Sequence, residues 1–185
     1  MSEWFETLDG IRGRVWQTLG RGVADRRSAA RHPTFATVSP DGWPEARTVV
    51  LRAADAQVQT LDVHTDFQSD KVKSLRGKSR AAFHIWDEKQ KLQLRLGAEV
   101  EILSGDVVAD LWAKVPDPSR QAYGTDPAPG TAIDDALAYT KPADPTAFAV
   151  LRCKVIAIDV VHLGTDHRRA FFTRDSEWIG EWLAP

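Results

Sequence analysis

The sequence has little cysteine: one thiol, Cys153, in 185 residues. A single thiol closes no internal disulfide, so the fold has no covalent staple and a reducing compartment is expected. Cys153 lies in the alternating apolar segment AVLRCKVIAI, which reads as a small core residue rather than a nucleophile. Long hydrophobic runs are missing too. No stretch approaches the roughly 20 apolar residues that a membrane-crossing helix needs, and MSEWFETLDG lacks the basic start and apolar centre of a secretory leader. The expectation is a cytoplasmic protein with no membrane partner. Nor is one sign of charge in excess. Lys and Arg number 24 against 26 Asp and Glu, a net charge of −2, so the basic surplus typical of nucleic-acid binding is absent and any anion site has to be local. The chain contains no Gly-x-x-x-x-Gly-Lys-Ser/Thr loop, no HExxH, no CxxC and no GxSxG. Its five histidines, His32, His64, His84, His162 and His167, show no ligand-like pairing on one element, so no metal site is expected.

What is present suits one domain over residues 1–185, with 43% apolar residues and no low-complexity tract. Trp4, Leu8, Ile11, Val15 and Leu19 recur at helical spacing and predict an amphipathic helix that covers a sheet. PTFATV, ARTVVLR and AQVQTLDVHT read as three successive strands of a meander, the first turn being SPDGWPE. HTDFQSDK (64–71) then hands over to a short helix near Asp70 to Arg76, followed by strands in RAAFHIW and in QKLQLRLGAEVEIL. SGDVVADLWAKV predicts a helix ending at Pro116. The stretch after it is rich in proline and irregular, TAIDDALAY being its one candidate helix. TAFAVLRCKVIAIDVVHL, RRAFFTR and EWIGEWL supply the last strands. Six to eight antiparallel strands with helices inserted between them predict a mainly β, closed or nearly closed barrel with flanking helices. On residues alone, HTDFQSDK is a polar surface turn in which Ser69 caps a helix.

Four segments in order, RTVVLR (47–52), HTDFQSDK (64–71), QLRLG (93–97) and HRRAFFTRDSEWIGEWLAP (167–185), resemble the FMN-binding split-barrel proteins related to pyridoxamine 5′-phosphate oxidase. That family shows an Arg-x-x-x-Leu-Arg/Lys strand, a Thr-x-x-x-Ser-x-Lys turn, a Gln-x-Arg strand and an Arg followed by a terminal Trp…Leu-Ala-Pro. The resemblance implies an antiparallel split β-barrel, FMN as cofactor, and a homodimer with FMN at the interface. It gives HTDFQSDK a chemical content. A phosphate group is held well by a guanidinium, an ammonium, hydroxyls and the free amides opening a helix; Arg47, Lys71, Thr65, Ser69 and the helix starting near Asp70 offer that set. The main chain of Thr48, Val49, Val50, Leu51 and His64 would meet the polar edge of the ring, with Arg52 and Gln93 as side-chain donors and Arg168 close by. Read without the resemblance, Gln93 is a polar residue on the wet face of a strand.

Departures from the family pattern are informative. Asp70 stands where a second basic residue is frequent, leaving the phosphate site one charge poorer. GTDHR (164–168) replaces the Arg-x-His-x-Arg that grips vitamin B6 phosphate, with Gly164 and Asp166 in place of the Arg and His. The expected activity is therefore that of an FMN-dependent oxidoreductase acting on a different small-molecule substrate; the alternative is a non-enzymatic barrel that stores or senses flavin or haem. Seven Trp and seven Phe exceed what a small barrel readily encloses, which leaves Trp86, Trp112 or Trp182 for a subunit contact.

Overall fold

The computed structural model describes residues 3–185. A 3-10 turn at Trp4–Glu6 leads into helix α1 (Leu8–Ala24), whose Ile11, Val15 and Leu19 are fully buried. Trp4 belongs to the preceding turn, not to the helix. Nine strands follow: β1 (Thr34–Val38), β2 (Pro44–Thr48), β3 (Leu51–Asp55), β4 (Thr60–Asp66), β5 (Arg80–Asp87), β6 (Leu92–Ser104), β7 (Phe148–Leu163), β8 (His167–Thr173) and β9 (Glu181–Leu183). Helix α2 (Asp70–Gly77) lies between β4 and β5; α3 (Ala109–Ala113) and α4 (Asp117–Arg120) lie between β6 and β7.

All ladders are antiparallel, in the order β2-β1-β5-β6-β7-β4-β3, with β8 and then β9 branching from β7. The expected meander is therefore two hairpins, β1-β2 and β3-β4, at opposite edges of the sheet. ARTVVLR is not one strand: it breaks at Val49 and Val50, where the Val49 N–H leaves the ladder and donates to the Pro33 carbonyl at 3.1 Å. That break shapes the molecule. Two linking residues span at most about 11 Å between flanking Cα atoms, so the edges β2 and β3 must lie close together, and the sheet has to roll round on itself. No ladder joins the two edges among the described residues, so the barrel is split rather than closed.

β7 forks the sheet. Its first half pairs with β4, from Phe148 to Lys154, and its second half with β8, from Ala157 to Leu163, while β6 runs along its other side. Between the halves the register slips opposite Gly97 and Ala98. Such a bulge inverts the inward and outward assignment and sharpens the bend: Leu151, Cys153 and Val155 face inward before it, Ile158 and Val160 after it, all fully buried. The core joins these residues to Phe35, Phe83 and the buried face of α1, with the two Phe rings 4.9 Å apart. Burying each such side chain contributes about 1.5–3 kcal/mol. Cys153 is a core residue, and burial pushes its thiol pKa up.

The segment between β6 and β7 covers the outer face of the β4/β7 ladder with a second cluster of Val108, Val115, Tyr123, Phe148 and Val150. The helix expected over SGDVVADLWAKV is shorter, a 3-10 turn Gly105–Val108 followed by α3, because only part of its apolar face finds a partner: Val108 is buried while Val107 is 73% exposed. TAIDDALAY forms no helix. Ile133 and Leu137 are exposed, so it has no apolar face to anchor one, and its one ladder contact nearby is an isolated bridge from Asp126 to Thr140. EWIGEWL yields only β9.

Candidate functional site

At the split between the edges, side chains from three elements converge. Arg47 on β2 faces inward with its register partner Phe35, and donates to Thr37 Oγ1 at 2.7 Å and to Glu45 Oε2 at 2.9 Å. Thr65 closes the inward row of β4. Lys71, in the first turn of α2, donates through Nζ to Thr65 Oγ1 at 3.0 Å, and Thr65 and Ser69 hydroxyls lie 3.2 Å apart. The Ser69 hydroxyl donates to the Asp66 carbonyl at 2.7 Å and makes no capping bond to the helix amides, so the plain capping role does not describe it. Thr65 and Ser69 are buried. Burial first, and then the neighbouring Arg47, hold the Lys71 pKa below the usual amine range, against the opposite pull of Asp66 and Asp70. The fold thus keeps two repelling cations together beside two buried hydroxyls, at the start of an eight-residue helix. This donor set fits a phosphate group.

Some partners of this cluster were not evident from sequence. Glu45 takes hydrogen bonds from Arg47 and from the Ser74 hydroxyl, the latter at 3.0 Å. The Ser74 bond, with Arg47 and Thr37, holds the Glu45 carboxyl below its usual pKa even though burial pushes the other way. The signal that could have found it is strand alternation, which puts Glu45 and Arg47 on one face. Asp70 pairs with Lys73 at 2.9 Å. Asp66 fastens the turn to the irregular segment: its carboxylate accepts from Gln68 N at 2.7 Å and Gly124 N at 2.8 Å, and Phe67 N donates to the Ala147 carbonyl at 2.7 Å. Gly124 has φ +93°, and a Cβ there would meet Asp144 Cβ at 2.6 Å, so this anchor requires glycine.

Arg52 and His64 sit round the corner, on the outward side of β3 and β4. His64 meets the Phe148 ring edge-on at 5.0 Å. Burial, then Arg52, lower its pKa to about 4, so it is neutral at pH 7. Arg52 lies close to buried Tyr123 from the segment after α4, whose hydroxyl pKa burial raises while Arg52 pulls it the other way, and the Arg52 Nε is enclosed with no acceptor. A cavity of about 160 Å³ opens beside them under the α3 segment.

Gln93 and Arg168 are not brought to this cluster. Register relates Thr65 through Ala149 to Ser104, at the opposite end of the 13-residue β6 from Gln93; at roughly 3.3 Å per residue no side chain bridges that gap. Gln93 faces outward, half-buried, in a row with Trp86, Val161 and Arg169. Arg168 has the other parity. It pairs with buried His162 and lies over the Phe5 ring at 4.9 Å, closing the end of the core. Arg169 is therefore the arginine that shares the face of Gln93, and Asp159 fixes it with bonds of 3.1 and 2.8 Å while also binding Arg95.

Residues 14–104 match the sequence profile of the family described as pyridoxamine 5′-phosphate oxidase, FMN-binding domain. Curated relatives include a pyridoxine/pyridoxamine 5′-phosphate oxidase of Microcystis aeruginosa, 34% identical over 88 residues that cover 48% of this chain and 40% of that protein. Another, from Rhizobium meliloti, is 33% identical over 86 residues, 46% of this chain and 41% of that one. The chain thus matches less than half the length of these relatives. Among solved structures, a pyridoxamine 5′-phosphate oxidase-related, FMN binding protein from Nostoc punctiforme covers 100% of this chain and 98% of its own at 23% identity, with a TM-score of 0.76. PhzG from Burkholderia lata, solved in complex with tetrahydrophenazine-1-carboxylic acid, covers 100% and 97% at 16% identity, with a TM-score of 0.74. These two likenesses establish the fold.

Proposed function

Because the chain belongs to the pyridoxamine 5′-phosphate oxidase-related family of FMN-binding split barrels, we propose that it is an FMN-dependent oxidoreductase acting on a small organic substrate as a homodimer, with one flavin in each of two shared sites. The observation that carries this reading is the Arg47–Lys71 pair, two cations set side by side with the buried hydroxyls of Thr65 and Ser69. Glu45 offsets part of the Arg47 charge, and a bound anion would offset the repulsion between Arg47 and Lys71 that remains. Arg47, Lys71, Thr65, Ser69 and the start of α2 hold the phosphate. The main chain of Thr48 to Leu51 and of His64, with the side chain of Arg52, orients the ring. FMN, when bound, supplies the redox chemistry, and the protein contributes binding, orientation and polarity.

Two features support the dimer. Gln93 and Arg169 stand too far from Lys71 to serve the same flavin in one chain, so Gln93 completes a site only if a second copy presents it. Ala46, Ala36, Ala82, Gly97 and Ala157 also line up across five strands on the outer face of the sheet. A row without large side chains lets another backbone approach closely, and Trp86, 43% exposed, stands on the same face two rows along, beside Gln93. Arg168, which covers Phe5 at the end of the core, does not share that face, and Arg169 takes its place beside Gln93 at the ring end of the shared site.

Reconstitution with FMN followed by light scattering and spectroscopy tests the proposal. The expected result is a yellow protein with the mass of two chains, one flavin per chain, and bleaching by NADPH or another reductant that a substrate reverses. A monomer that keeps one flavin per chain refutes the shared site. A Soret band in place of flavin bands refutes the flavin reading in favour of haem.

A further inference from the structure

The cavity of about 160 Å³ between β3, β4 and the 111–116 turn differs in character from the phosphate cluster. Leu111, Val115 and Pro116 give it an apolar wall, while Arg52 and Lys114 give it two cations. Neither cation has a carboxylate partner among the described residues. Asp62, the one acidic residue on the wall, is already matched: Arg152 grips it with two bonds of 3.2 and 3.0 Å. His64 is neutral at pH 7 and adds no charge. Arg52 lines this place and lies within electrostatic reach of Tyr123, which is 4% exposed and held edge-on to Phe148 at 5.0 Å, and the enclosed Arg52 Nε has no acceptor. A positioned guanidinium without a counter-charge, facing an apolar wall, is a receptor for an anion that carries an apolar body.

We infer that this cavity is the substrate subsite, and that it takes the carboxylate end of a small, largely apolar organic acid, with Arg52 and Lys114 as its charge partners and Leu111 and Val115 against its hydrocarbon part. The volume suits a fragment of that kind rather than a whole drug-sized ligand, for which pockets of about 300–1,000 Å³ are usual. Arg52 then serves two neighbours, the ring on one side and the acid on the other. Tyr123 acts as a positioning residue through Arg52. The assignment of a substrate to this cavity rests on the flavin reading above, since Arg52 and His64 belong to both sites.

Calorimetric titration with benzoate and with its neutral analogue benzamide, on protein with and without FMN, tests it. Benzoate should bind at least about ten-fold more tightly than benzamide at pH 7. Lys114→Gln and Arg52→Gln should each erase most of that preference with the circular dichroism unchanged, and Lys114→Gln should leave FMN affinity as it was. Tyr123→Phe should weaken benzoate but not benzamide. Equal binding of the two probes, no binding of benzoate at millimolar concentration, or a preference that survives in both cation variants overturns the inference. The two readings fail separately: a protein that prefers benzoate but never takes up FMN loses the flavin and keeps an acid-binding cavity, and one that holds FMN without that preference does the reverse.

Discussion

Replacing Lys71 by Ala removes an ammonium that bonds Thr65 at 3.0 Å and lies next to Arg47. A charge-assisted hydrogen bond to phosphate is worth about 1.5–3 kcal/mol, so FMN affinity should fall by about ten- to a hundred-fold or slightly more. Riboflavin, which has the ring but not the phosphate, should bind the variant and the parent alike. The effect on the folded protein without ligand has the opposite sign. Lys71 has a lowered pKa in the fold, so below that pKa its proton is held at a cost relative to the unfolded chain, and that cost is relieved only as pH rises from the lowered pKa toward the ordinary value near 10.5, where the folded chain gives up the proton first. At pH 7 the truncation relieves the repulsion with Arg47 and should leave the urea midpoint unchanged or raised, apart from lost packing of the stem; Lys71→Met, which keeps the stem, separates the two. Flavin fluorescence quenching gives both affinities. Equal weakening of FMN and riboflavin, together with a lowered urea midpoint, would show that Lys71 acts through the fold and that the phosphate assignment is wrong.

Glu45→Gln frees Arg47 from its carboxylate and should tighten FMN by about two- to five-fold, a surface-pair effect, while riboflavin is unaffected; the same quenching titration reads it. Asp159→Asn leaves Arg95 and Arg169 without their shared counter-charge and should cost about 1 kcal/mol, or about 2–4 °C in Tm. Burial raises the Asp159 pKa, but Arg169 and Arg95 outweigh it and hold the pKa low, so the contribution is present above the usual carboxylate pKa and is lost as pH falls through the depressed one. His64, with its pKa at about 4, should show no titration in NMR between pH 5 and 8. Because the unfolded histidine takes up its proton first, stability should decline as pH drops from about 6.5 toward 4, and a His64 resonance titrating near 6.5 would contradict the packing against Phe148.

The strands were legible because their apolar residues alternate: TFATV, RAAFHIW and LQLRL each bury every second side chain. Sheet order was not. Nothing local in ARTVVLR says that the chain leaves one edge of the sheet at Thr48 and joins the other at Leu51; the five apolar and β-branched positions favour extended backbone throughout, and only the pairing of β1 with β5 and of β4 with β7 separates the hairpins. Helical spacing misled in SGDVVADLWAKV for a related reason. Val107 and Val108 both fit the pattern, yet the β4/β7 face that the segment covers receives Val108 and leaves Val107 in water. Spacing states which residues share a stripe, and the partner surface decides how much of the stripe is used.

Within the site, the cluster at the split was readable and its far end was not. Thr65, Ser69 and Lys71 fall within one turn of chain, so their convergence is local and the residue types disclose it, and Arg47 follows from its inward parity on a short edge strand. Arg168 and Arg169 are a different problem. RRAFFTR has three apolar residues in succession, and its alternation alone allows either arginine to face outward. Two distant features decide: the register slip opposite Gly97 and Ala98, which inverts the second half of β7, and the pairing of that half with β8. Ala170 and Phe172 are then the inward pair, Arg168 follows them to the end of the core, and Arg169 joins Gln93. A shift of one residue in that bulge would exchange the two arginines between core and surface, so the chemistry of the outer face depends on an irregularity in β7, at a distance from both residues.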